Sequence, residues 1–220
     1  MARFRWFFAA VMVVTFFSAA DFFGANFFAA ALAQETVVFE DPLDGSLQSG
    51  WEWRRENPDA HRFNEGGLEI EAEPFADNEA KNVLVRPFPN RSKGIFRIET
   101  EVTCVAAPTN QYQQGGLYWL QDGQVAFKLV HEFVDGQTYI FPGKIPVSAK
   151  TVRLRIISSG DDIIAEFCGD GESSYRRVYE GKIAKSDRDE IGVQCWHGPQ
   201  KSDSPQRYRF KKFRIIQAGE

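Results

Sequence analysis

The sequence predicts an all-β protein, an antiparallel sandwich or barrel of about ten to twelve short strands behind an N-terminal signal peptide. Three observations carry this. Apolar and polar residues alternate strictly in 68–72 (Leu-Glu-Ile-Glu-Ala), 96–104 and 152–156, the period-two pattern of strands with one face on a core. Asp-Gly pairs stand between or just after apolar runs at Asp122-Gly123, Asp135-Gly136 and Asp170-Gly171, which is tight-hairpin chemistry. No stretch after residue 34 keeps apolar residues at helical spacing through three turns.

The chain opens with a basic stretch, Arg3 and Arg5, then an apolar run from Trp6 to Ala20 and a looser apolar segment to Gln34. This order marks a secretory signal. Ala31-Leu32-Ala33 is the better cleavage site and Ser18-Ala19-Ala20 the runner-up. A retained anchor competes, but Asp21 and Asn26 interrupt the run short of the roughly 20 apolar residues a spanning helix needs. The division is therefore residues 1–33 as signal and 34–220 as one β-sandwich domain, secreted or periplasmic, with no membrane span after cleavage.

Strands follow at 68–72, 82–86, 96–104, 116–121, 125–133, 138–141, 152–156, 163–168, 176–179, 191–196 and 208–216. Residues 183–191 have room for a single helical turn. Cys104, Cys168 and Cys195 are an odd count; Cys168 and Cys195 end strands and could pair, and small buried thiols are the equal alternative. No Cys-x-x-Cys spacing indicates zinc. The formal charge of −4, with acids and bases interspersed, has no basic stripe for nucleic acid.

Catalytic signatures are sparse. There is no Gly-x-Ser-x-Gly elbow, no phosphate loop, and no second histidine after His131-Glu132 for a zinc protease. Glu99 and Glu101 lie two apart on one face of a strand, about 6.6 Å along it, and side chains can converge toward the roughly 5–5.5 Å of a retaining glycosidase pair. Arg97 on the same face offers a plain salt-bridge partner instead. Trp51, Trp53, Tyr118, Trp119, Trp196 and His197 supply aromatic faces, and Arg55, Glu56 and Asn57 follow Trp53 at once. Sugars are bound by aromatics over their C–H faces and by planar polar groups on their hydroxyls. Any one of these tryptophans is more often core.

In order along the chain, several blocks resemble the concanavalin A-like lectin/glucanase superfamily. Within it they are most similar to the C-terminal β-sandwich domain of family 43 β-xylosidases and related stand-alone domains of unknown function. The blocks are Phe39-Glu40-Asp41 through Trp51-Glu52-Trp53-Arg54-Arg55-Glu56-Asn57-Pro58; Asn82-Val83-Leu84-Val85-Arg86-Pro87; Phe96 to Val102; Gln114-Gly115-Gly116-Leu117-Tyr118-Trp119-Leu120-Gln121-Asp122 on to Phe127-Lys128-Leu129; Val152 to Arg155; the Asp170-Gly171 turn; and Ile191-Gly192-Val193 leading to 210–215. Gly115 replaces a usual Ala, Tyr175 stands where a Trp is common, and 200–206 looks inserted. The catalytic propeller of those enzymes does not precede the domain, so their activity does not carry over.

The resemblance implies a two-sheet antiparallel jelly-roll sandwich whose concave sheet presents ligand-binding side chains. It places Trp53, Arg55, Glu56, Asn57, Arg86, Glu99, Gln114, Asp122 and Lys128 at or near that face, facing a glycan or other polyol. A buried polar network shaping the sheet is the structural alternative. Calcium at the sandwich edge occurs in the superfamily; no contiguous acidic loop indicates it here, and no cofactor is expected. Three functions remain open: a carbohydrate-binding module without catalysis, a surface domain with a protein partner, and a glycoside hydrolase or lyase using Glu99 and Glu101.

Overall fold

The computed structural model describes residues 35–73, 80–199 and 206–218, so the signal segment lies outside the described residues. Among the described residues fifteen strands form two sheets, and the other regular elements are two 3-10 turns, Pro58–Ala60 and Arg91–Lys93. The first sheet runs β13 (Arg176–Lys182), β12 (Asp162–Gly169), β11 (Thr151–Ser159), β6 (Ile95–Cys104), β15 (Gln206–Ala218), β4 (Leu68–Ala72), β3 (His61–Phe63). The second runs β10 (Ile145–Pro146), β9 (Gln137–Phe141), β8 (Gln124–Val134), β7 (Gln114–Gln121), β14 (Asp189–Trp196), β5 (Val83–Pro87), β2 (Glu52–Arg54). All pairings are antiparallel.

Alternation along each strand sends one set of side chains between the sheets. From the first sheet come Ile70, Phe96, Ile98, Val102, Leu154, Ile156, Phe167, Tyr208 and Phe210; from the second come Leu84, Leu117, Trp119, Leu129, Ile140, Ile191 and Val193. Each large apolar side chain removed from water contributes roughly 1.5–3 kcal/mol. Trp119 anchors the layer, 4.6 Å from Phe88 between ring centroids. The Arg91 guanidinium stands 4.7 Å from the Trp119 ring and ties three segments together: it donates to Asp189 (2.9 Å) and to the carbonyls of Gly160, Ile183 and Ala184.

Two Asp-Gly pairs make the hairpins expected of them. Asp122-Gly123 joins β7 to β8 with φ of 53° and 76°, and Asp135-Gly136 joins β8 to β9 with φ of 51° and 81°; positive φ at both central positions is the type I′ turn that matches strand twist. β1 (Glu35–Asp41) pairs with the second half of β15, while β4 pairs with its first half. A bulge between Lys211 and Arg214, with Lys212 at φ 55°, divides the two halves. Residues 183–191 contain no helical turn; Arg91 holds the Ile183 and Ala184 carbonyls and the chain enters β14 at Asp189. Cys104, Cys168 and Cys195 are all free and buried, and Cys168 and Cys195 stand on different sheets.

Candidate functional site

The site is built on β7. Gly115, Leu117 and Trp119 turn inward, where a Cβ on Gly115 would strike the Tyr208 ring. Gln114, Gly116, Tyr118 and Leu120 therefore turn outward. In register on β8, Glu132, Val130 and Lys128 stand opposite Gln114, Gly116 and Tyr118. On β14, Trp196 and Gln194 stand opposite Gln114 and Gly116. Together with Arg55, Ala80 and the β7–β8 hairpin (Gly123, Gln124, Val125), these strands enclose a cleft of about 400 Å³ on the outer face of the second sheet. Its apolar end is a small cluster of Ala80, Val83, Val85 and Leu120 with the partly exposed Trp196.

The polar end is a linked set. Tyr118 Oη donates to Gln114 Oε1 at 2.8 Å, and Lys128 Nζ donates to the same oxygen at 2.7 Å. Gln114 Nε2 donates to the Tyr112 carbonyl at 3.1 Å, which fixes the amide. Lys128 also reaches Glu132 at 3.4 Å. Burial raises the Glu132 carboxyl pKa, opposed by Lys128, and burial raises the Tyr118 phenol well above its usual value, with Glu132 adding to it. Arg55, at φ 52°, leaves the β2 direction and donates from Nε to the Ala80 carbonyl at 2.7 Å.

Of the residues singled out from the sequence, the cleft brings together Arg55, Gln114 and Lys128. The others lie elsewhere. Trp53 stacks on His61 at 4.2 Å and packs against the core. Glu56 pairs with His61 at 3.0 Å. Asn57 caps the first 3-10 turn and donates to Glu73 at 2.8 Å. The Arg86 guanidinium lies 3.1 Å from the Phe39 ring centroid, its pKa lowered by burial. Asp122 occupies its hairpin turn, 2.8 Å from Arg188. Glu99 is on the other sheet altogether, outward on β6, held by Arg97 and Arg214 at 2.9 Å and Arg155 at 3.9 Å. Glu101, on the same face, pairs with Lys212 at 3.5 Å. These two carboxylates are members of an ion-pair lattice on the face opposite the cleft.

Sequence reasoning left Leu120, Gln124, Val125 and Gln194 out of the site, and noted Tyr118 and Trp196 without placing them in it. The available signal was the parity of β7: once Gln114 faces out, Tyr118 and Leu120 do too, and an antiparallel neighbour ending at Trp196 follows. Among the described residues, no group of three His, Cys, Asp or Glu is arranged to hold a metal ion, and no helix is long and apolar enough to cross a membrane.

No family model matches the chain, and neither does any curated protein. Solved structures do. The GH43 protein of Bacillus licheniformis superposes with a TM-score of 0.66 at 15% identity, over 81% of this chain and 39% of that one. A xylan beta-1,4-xylosidase from Bacillus halodurans gives 0.58 at 16%, over 80% and 38%. A functionally unknown protein from Saccharomyces cerevisiae gives 0.56 at 15%, over 78% and 98%. The chain shares the two-sheet antiparallel β-sandwich fold of these structures. This sandwich spans about two fifths of the length of the GH43 proteins it matches, and nearly all of the yeast protein. At these identities the likeness is one of fold, and function has to be argued from the cleft.

Proposed function

We propose that this concanavalin A-like sandwich is an exported carbohydrate-binding module without catalysis of its own, and that it takes its glycan in the cleft over β7, β8 and β14. The observation that carries the reading is Trp196, partly exposed beside Leu120, facing the Gln114–Tyr118–Lys128 set within one cleft of about 400 Å³. An aromatic face covers the C–H side of a sugar ring, and preorganised amide, phenol and ammonium groups fix its hydroxyls. The volume lies within the roughly 300–1,000 Å³ of small-ligand sites. Among the described residues no Asp or Glu lines the cleft, whereas glycosidase chemistry ordinarily needs two carboxyl groups flanking the bond. The carbohydrate-active proteins that share the fold supply the first ligands to try, xylan fragments among them.

The test is a broad glycan array on the full chain, followed by titration calorimetry of each hit with wild type and Trp196→Ala. Loss of one stacking aromatic corresponds to about a tenfold weaker Kd. A folded protein that binds no glycan, or binding that Trp196→Ala leaves intact, would sink the assignment. Export rests on the apolar run of residues 6–20 and the Ala31-Leu32-Ala33 motif; mass spectrometry of the protein recovered outside the cytoplasm should show a chain beginning near Gln34.

A further inference from the structure

The two long edges of the first sheet are complementary to each other, and the partner they fit is a second copy of this chain. We infer that the protein associates head to tail, with β1 of one copy pairing antiparallel with β13 of the next.

A sheet edge presents a row of backbone donors and acceptors that a further strand can pair with, and natural proteins blunt such edges with shortness, Pro or Lys. Among the described residues the edge strands β2 and β3 are three residues each, and β10 is two with Pro146 in it. β1 and β13 are seven residues each. β1 pairs with β15 and β13 with β12, which leaves the far side of each as an edge among the described residues. β1 contains neither Lys nor Pro, and its Val37 and Val38 are 52% and 44% exposed. On β13, Gly143 abuts Val178, while Arg177, Glu180 and Lys182 are exposed. An unguarded edge with two exposed valines is a place for another strand.

The charges select which strand. β1 (Glu-Thr-Val-Val-Phe-Glu-Asp) has three acids and no base, and β13 (Arg-Arg-Val-Tyr-Glu-Gly-Lys) has three bases and one acid. Each strand has one extra residue at a bulge, Val38 in β1 and Val178 in β13, so their lengths match residue for residue. With Glu35 opposite Lys182, antiparallel pairing sets Val38 opposite Tyr179 and Glu40 opposite Arg177. Register puts these four charges on one face of the sheet: Glu35 and Glu40 stand across from Ala218 and Arg214, and Lys182 and Arg177 across from Asp162 and Glu166. Opposite charges directly across strands stabilise the pairing. Lys182 and Arg177 are held within the copy only by exposed partners, Asp162 and Glu180, and such pairs are weak enough to exchange. Glu35 already accepts from Arg97, but a carboxylate has further lone pairs. Like edges do not fit. β1 against itself, centred on Val38, sets Glu35 opposite Asp41, and β13 against itself, centred on Tyr179, sets Arg176 opposite Lys182. Direction agrees as well. Strands alternate through β13, β12, β11, β6, β15 and β1, so a next copy in the same orientation brings its β13 antiparallel to β1. A contact between unlike patches leaves an edge available at each end, so the assembly grows past two copies. The cleft lies on the other sheet, so each copy in the row keeps it open.

The experiment is sedimentation velocity on the full chain over a wide range of concentration, at low salt. Wild type should show species beyond the dimer as concentration rises. Glu40→Lys and Arg177→Glu each set like charges opposite one another and should weaken association about tenfold at an unchanged melting temperature. Mixed in equal amounts, the two variants should associate as wild type does, because the reversed β1 of one meets the reversed β13 of the other. Wild type that stays monomeric overturns the contact. So does association that Arg177→Glu leaves intact, which would mean β1 pairing with β1 or contact through another surface, and so does a mixture that fails to recover. None of these outcomes touches the glycan reading, which the array tests separately.

Discussion

His131 is the residue whose titration the fold should feel most. It stands on β8 facing the core, 2% exposed, in register with Gly115 on β7 and Ile140 on β9. Neither ring nitrogen has a hydrogen-bond partner. Burial alone lowers its pKa from 6.5 to about 4, because an imidazolium there would lose its hydration and gain no partner. Above pH 6.5 the ring is neutral in both folded and unfolded chains, and folding carries no penalty from it. As pH falls from 6.5 toward 4, the unfolded chain binds the proton and the folded one does not, so stability is lost across that window and levels off below it. At about 1.4 kcal/mol per unit, the loss is on the order of 2 kcal/mol at pH 5 and 3 kcal/mol at pH 4. Urea denaturation at about pH 7.5 and about pH 5, for wild type and His131→Leu, isolates this group. Glu132 next to it has its carboxyl pKa raised by burial and so acts with the opposite sign, stabilising the fold as pH falls. The readout is therefore the difference between the two proteins, not the slope of either. Wild type should lose about 2 kcal/mol more than the variant; equal losses would refute the burial argument.

Other perturbations test the frame that holds the cleft. Asp41 is fully buried and accepts from the Leu43 and Gln48 amides at 2.8 Å and from Trp51 Nε1 at 2.7 Å; Asp41→Ala leaves one buried and two half-buried donors without their acceptor and should cost about 2–3 kcal/mol in urea denaturation. A Cβ on Gly192 would collide with the Leu84 carbonyl oxygen of the paired strand, which no rotamer relieves. Gly192→Ala should therefore destabilise by about 2–3 kcal/mol and weaken any cleft ligand, whereas Gly123→Ala, with open space around its Cβ and only a φ of 76° to strain, should cost about 1 kcal/mol in the same melt.

The strands were legible wherever alternation was strict. β6, β11 and β4 carry an apolar residue at nearly every second position, with Thr100 and Ser158 the exceptions, and such a run has one stable way to face a core. β1 was missed because Val37 and Val38 are consecutive and a register shift between Val37 and Phe39 breaks the period. β2 and β3 are three residues each, too short for any period to show. The site was harder for a different reason. Parity says which residues share a face of one strand and nothing about which sheet that strand joins. Glu99 and Gln114 both read as outward polar positions, yet β6 and β7 belong to opposite sheets, so one lies in the ion lattice and the other in the cleft. Trp53 and Arg55 part for a more local reason: two apart in an extended chain they would share a face, but Arg55, at a left-handed φ, lines the cleft while Trp53 stacks on His61.

That separation of faces also explains why one outer surface is fit for a ligand and the other is not. On the first sheet, cross-strand register sets Glu99 against Arg155 and Arg214, Glu71 against Arg207, and Glu69 against Arg62 and Arg209. Opposite charges placed directly across strands satisfy one another, and a neutral or charged sugar would have to break them to bind. The outer face of the second sheet is built from amides, a phenol and apolar groups around Trp196. Amides can donate and accept at once, so a network of them can turn toward a ligand without losing its own internal bonds.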